Sequence, residues 1–87
     1  MDSKDLTVVV ASVLTTLAET PGNWAPSSHL WFPLIERYPD LTADTWVRLL
    51  GAMQSLGLVK FTSTTVTLQP EGLKKAQEIE ARIKAPR

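Results

Sequence analysis

Between Leu49 and Leu73 an apolar helical stripe runs into Gly57, two short β-branched segments follow, and another helix opens at Pro70-Glu71-Gly72. That order constrains the fold more than any other feature of the chain. Trp46, Leu49, Leu50 and Met53 recur at helical spacing, with Leu56 or Leu58 completing the stripe, and Thr42 stands where a cap would satisfy the first free N–H groups. Gly57 falls where the end of such a helix wants a left-handed residue. Val59–Phe61 and Thr65–Leu68 alternate, and Thr62-Ser63-Thr64 between them supplies the turn of a short hairpin. Pro70 at the first helical position and Glu71 in the first turn then start the last helix. Leu73, Ala76, Ile79 and Ile83 are expected to face inward from it, with Lys74/Glu78, Glu78/Arg82 and Glu80/Lys84 as i,i+4 pairs outside.

The first half is helical by period. Leu6, Val9, Val10, Val13, Leu14 and Leu17 predict a helix over about residues 5 to 19 despite the β-branched run, capped by Ser3 or Asp5 and stopped by Thr20-Pro21-Gly22-Asn23. Its other face carries Thr7, Val8, Ala11, Ser12, Thr15 and Thr16, with no charge among them. Thr20 to Ser28 reads as an ordered connection holding Trp24. Trp31, Leu34, Ile35 and Tyr38 give a second helical stripe, with Ser27 or Ser28 as cap. Because Pro33 is best tolerated in a first turn, that helix is expected to begin near His29 or Leu30 and to end at Pro39-Asp40.

At 87 residues, 44% hydrophobic and 21% charged, the chain fits one soluble globular domain over 1–87, with 1–4 and 85–87 expected to fray. No secretory leader is visible. The uncharged span from Leu6 to Ala18 is too short and too rich in Thr and Ser for a membrane span, so the expectation is a cytoplasmic protein without membrane contact. There is no cysteine, which excludes disulfides and thiolate chemistry, and a single histidine, His29, better read as a helix-start residue than a catalyst. No carboxylate pair, nucleophile–base set or Gly-rich phosphate loop is visible. Neither an enzyme nor a metal or cofactor is expected.

Three helices, a hairpin and a closing helix in this order resemble the winged helix-turn-helix fold, a mainly α fold with a small β-hairpin (α+β). The frame Leu56-Gly57-Leu58-Val59 followed by Leu68-Gln69-Pro70-Glu71-Gly72-Leu73 is similar to that of the MarR- and PadR-like regulators, whose wing leads into a Leu-Thr-x-x-Gly helix start. The resemblance implies a small DNA-binding regulator of transcription. It would make 31–38 the first helix of the helix-turn-helix, 42–56 the recognition helix and 60–67 the wing. This wing tip departs from the DNA-binding pattern in having no Arg or Lys.

On duplex DNA, Thr42, Thr45 and Arg48 would meet bases or nearby phosphates. Lys60, Lys74 and Lys75 would neutralise phosphates, and Thr62, Ser63 and Thr64 would donate neutral hydrogen bonds. A bland reading stands beside each assignment. Arg48 is one turn from Asp44 and can pair with it, and the wing hydroxyls suit a turn. Charge is divided unevenly. Residues 1–40 carry Lys4 and Arg37 against Asp2, Asp5, Glu19, Glu36 and Asp40, whereas residues 41–75 carry Arg48, Lys60, Lys74 and Lys75 against Asp44 and Glu71. With nine basic and nine acidic residues, the total attracts no polyanion.

The neutral face of Val8, Ala11, Ser12 and Thr15, with Trp24, is expected to meet a second copy in a homodimer, or another protein; the alternative is that the Trp24 loop covers it. Trp24 and Phe32 lie off the core stripes and could form an exposed patch. The alternative to DNA binding is a winged-helix interaction or oligomerisation module that leaves nucleic acid alone. The aromatic second helix could line a small-molecule pocket, although nothing marks a ligand.

Overall fold

The computed structural model of the chain describes residues 2–84, without the side chains of Ile83 and Lys84. The expected inward Ile83, the Glu80/Lys84 pair and residues 85–87 therefore lie outside the described residues. The chain is mainly helical with a small three-stranded antiparallel sheet, in the order α1 (Ser3–Glu19), a 3-10 turn (Pro21–Asn23), β1 (Trp24–Pro26), α2 (Ser27–Arg37), α3 (Ala43–Ser55), β2 (Val59–Phe61), β3 (Thr65–Leu68) and α4 (Pro70–Lys84). No helix among the described residues is long and apolar enough to cross a membrane.

Helix α1 starts two residues earlier than expected. The cap is Asp2, not Ser3 or Asp5: its extended backbone lets the carboxylate accept the Asp5 N–H at 2.9 Å. Val9, Val13, Leu14 and Leu17 are buried as their spacing requires. Helix α2 also starts early, at Ser27, with Pro26 at the cap position and no side-chain cap. Ser27 does not cap because its hydroxyl accepts the indole N–H of Trp46 at 3.1 Å. Pro33 consequently lies beyond the first turn, where its ring takes the helical donor from the His29 carbonyl. Both residues are exposed, so solvent can replace that bond.

Thr42 caps α3 as its sequence implies, accepting the Thr45 N–H at 3.2 Å. At the other end Gly57 takes φ 75°, donating to the Gln54 carbonyl while Leu58 reaches back to Met53, which closes the helix end with two bonds. Leu58, rather than the exposed Leu56, continues the inward stripe.

The hairpin forms at the expected residues, but the sheet has a third strand. β3 is central, pairing antiparallel with β2 (Phe61 opposite Val66) and with β1 (Ala25 opposite Val66). The stretch read as an ordered connection is therefore in part an edge strand, a position that tolerates Pro26. Ala25, Val59, Val66 and Leu68 point into a core completed by the α1 residues, Leu30, Leu34, Leu41, Trp46, Leu50, Met53 and Ala76. On α4 the expected inner residues Leu73, Ala76 and Ile79 pack on this core. Outside, Glu78 pairs with Lys75 at 3.7 Å, an i,i+3 contact, instead of with Lys74 or Arg82.

Candidate nucleic-acid interface

With Trp46, Leu50 and Met53 buried, α3 turns Asp44, Val47, Arg48, Ala52 and Ser55 to solvent. Arg48, the one long donor on this face, is held by Asp44: its Nε lies 3.0 Å from a carboxylate oxygen one turn back. The pair is exposed, so it directs the guanidinium more than it stabilises the helix. It also cancels the only positive charge of the face. Thr42 and Thr45 face a similar constraint, because the Thr42 hydroxyl donates to the Thr45 hydroxyl at 3.0 Å while capping the helix. Around these polar groups the face is apolar, with Val47 55% and Leu56 71% exposed.

The β2–β3 turn is closed by a backbone bond, from the Thr62 N–H to the Thr65 carbonyl at 2.8 Å, and by one side chain. The Thr62 hydroxyl accepts the N–H groups of Thr64 (3.3 Å) and Thr65 (3.1 Å) and shares a 2.9 Å hydrogen bond with the Thr65 hydroxyl. Thr62 is thus occupied by the turn, as the bland reading holds, whereas Ser63 and Thr64 are exposed at the tip. The hairpin stays beside α3 because the Gln54 side-chain carbonyl accepts the Phe61 N–H at 3.1 Å. The sequence reading missed Gln54. Its position on the flank of α3 is visible from the helical period, but its partner depends on how the hairpin folds back.

The lysines do not converge. Lys60 is exposed on β2, in register with Thr67, which is in register with Trp24, so these three form one row across the outer face of the sheet. Trp24, 48% exposed, therefore belongs to the sheet face with Lys60 and not to the neutral face of α1. Lys74 and Lys75 were expected to flank the wing. They sit instead beside Leu58, at the open end of the hairpin, together with Glu71 and Glu78. The reason is strand direction: β3 runs away from the turn, so the helix that follows it begins at the far end.

Val8 is exposed on α1, and Ala11, Ser12 and Thr15 are half-buried. Beside them a cleft of ≈ 240 Å³ separates α1 from α2, with Ser12, Thr15, His29 and Arg37 at its walls and Leu30 and Leu34 below. The aromatic residues of α2 do not line it. Trp31 packs on Trp46 with ring centroids 5.6 Å apart, and Phe32 is 57% exposed elsewhere. No protein-family model matches this chain, and neither the curated proteins nor the solved structures searched contain a match to it.

Proposed function

We propose that the chain is a small winged-helix protein that binds duplex DNA as a dimeric regulator of transcription, with α3 in the major groove and the β2–β3 turn as the wing. The observation that carries this reading is the latch between Gln54 and Phe61, which keeps the hairpin alongside the open face of α3. A third strand before α2 and a sheet ordered β1-β3-β2 support it, since they place two consecutive helices and a hairpin around one core. Arg48 reads bases, Ser63 and Thr64 donate from the wing tip, and Lys60 and Lys74 supply the phosphate contacts.

Binding on these terms is modest in strength. With Arg48 and Lys75 each paired to a carboxylate, Lys60 and Lys74 are the two of the four candidate cations that remain to release counterions. A fluorescent random-sequence duplex titrated at two salt concentrations should give a log–log slope of about −4 for a dimer. Asp44→Asn frees Arg48 and removes a negative charge from the groove, so it should tighten duplex binding several-fold at low salt. It costs little stability because the pair is exposed.

A second reading, a winged-helix protein-interaction module, is favoured by the same Asp44–Arg48 pair and by the bare Val47 and Leu56 on α3. It predicts no duplex binding at about 50 mM salt, where phosphate contacts are strongest, and no gain from Asp44→Asn. That pair of results would end the DNA reading.

A further inference from the structure

We propose that α1 pairs with α1 of a second copy, antiparallel, about a two-fold axis passing between Ala11 and Ser12. This deepens the dimeric part of the proposed function and rests on it. Helical spacing puts Lys4, Val8, Ala11, Thr15 and Glu19 on one outward stripe, with Ser12 beside Ala11. The stripe is palindromic by position. Lys4 and Glu19, Val8 and Thr15, and Ala11 and Ser12 are each equidistant from the same midpoint, so a two-fold there sets each residue opposite its counterpart on the other copy.

The facing chemistry matches at every level. At the centre, Ala11 and Ser12 are small enough for the helix axes to approach to about 8 Å. One step out, Val8 meets Thr15, an isostere whose hydroxyl donates to the Ala11 carbonyl at 2.9 Å. That internal bond ties the hydroxyl down and leaves the methyl for contact. At the ends, about 11 Å from the axis along the helix, Lys4 meets the partner's Glu19. Neither has an opposite charge within ion-pair distance in its own chain among the described residues.

The placement of those two charges is independently unusual. Lys4 lies in the first turn of α1, where the helix dipole repels a cation, and Glu19 lies in the last, where it repels an anion. An antiparallel partner reverses both penalties, because it brings the opposite helix end and the opposite side chain to each. Asp2 and Asp5 share the turn with Lys4, but Asp2 is engaged as the cap and Asp5 lies about 100° round the helix from Lys4, on the Ser12 edge of the face, where the two-fold sets it opposite Ala18 and not Glu19.

One helix stripe is a small interface, so the dimer should dissociate with Kd in roughly the micromolar range. Sedimentation equilibrium on the full chain tests the geometry. Lys4→Glu and Glu19→Lys each create two like-charge contacts per dimer and should each weaken it about tenfold. The double variant K4E/E19K should return to within about threefold of the parent, since only the direction of each pair has changed. Lys4 and Glu19 are both exposed, so far-UV circular dichroism of these charge variants should report an unchanged monomer. Ala11→Glu, at the axis, should leave only monomer.

If both charge reversals dimerise as the parent does, the antiparallel α1 contact is wrong and any dimer uses another surface. If the parent stays monomeric to about 1 mM, a concentration far above that range, the inference and the dimeric part of the function fall together. The DNA reading is judged separately, by the duplex titration of the parent and of Ala11→Glu.

Discussion

Gly72→Ala is expected to destabilise the protein by about 3 kcal/mol or more, against the usual direction for this change. In an ordinary helix interior, replacing Gly by Ala gains about 0.5–1 kcal/mol, because alanine has less backbone entropy to lose. Gly72 is in the first turn of α4 and buried. A Cβ there would stand 2.6 Å from Leu68 Cδ1, 2.9 Å from the Leu58 carbonyl carbon, and closer still to the Leu58 carbonyl oxygen. The Leu68 side chain could move aside. The Leu58 carbonyl cannot, because it already accepts the Gln69 N–H at 2.9 Å, the bond that closes the base of the hairpin just before α4 begins.

Urea unfolding of Gly72→Ala beside Gly51→Ala isolates the effect. Gly51 is on α3 with nothing within 4 Å of an added Cβ, so its alanine variant should gain the ordinary fraction of a kilocalorie. Equal midpoints for the two variants would mean that α4 can slide off the hairpin at no cost. The Leu68-to-Leu73 frame would then have lost its physical meaning.

The local elements of the fold are legible wherever a single residue has a single job. Thr42 caps because only a side-chain oxygen satisfies the first N–H groups of α3. Gly57 closes the same helix because only glycine takes φ 75° without strain. The hairpin is readable from β-branched alternation. β1 is not, since Trp24-Ala25-Pro26 has no β-branched residue, carries a proline, and becomes a strand only through its ladder with β3.

The site is less legible than the fold, and for a related reason. The Asp44–Arg48 pair follows from i,i+4 spacing, but Glu78 had two lysines and an arginine within reach. Exposed long side chains choose among such partners by small differences. Lys60 and Trp24 lie 36 positions apart in sequence and meet on one face only through the register of β3. Periodicity along one element carries no information about register between elements. The grouping of Trp24 with α1 failed at that step, and the placing of Lys74 and Lys75 on the flanks of the hairpin failed on the direction of β3.

The aromatic centre of the fold yields the second large expectation. Trp46→Ala should cost about 3–5 kcal/mol, comparable to a large share of the stability of a domain this size. Trp46 is only 5% exposed, in the first turn of α3 on its inner face. Its ring packs on Trp31 of α2 at 5.6 Å with the planes tilted by 49°, and its N–H reaches the Ser27 hydroxyl. Ser27 in turn donates its backbone N–H to the Thr64 carbonyl at 2.8 Å, so one side chain ties α3 to the start of α2 and, through it, to the β2–β3 turn.

Trp46→Phe separates the two contributions, since it keeps most of the ring contact and loses only the donor. It should cost about 1–2 kcal/mol, and Ser27→Ala about 1 kcal/mol, with the double variant close to the worse single one because both remove the same bond. Full additivity in that cycle would show that the indole–hydroxyl bond contributes nothing. Thr64 would then depend on the sheet alone for its position, and Trp46→Phe should leave hydrogen exchange at the Ser27 amide unchanged. Coupling predicts the opposite: faster exchange at Ser27, and a looser β2–β3 turn, from a substitution made on the far side of α2.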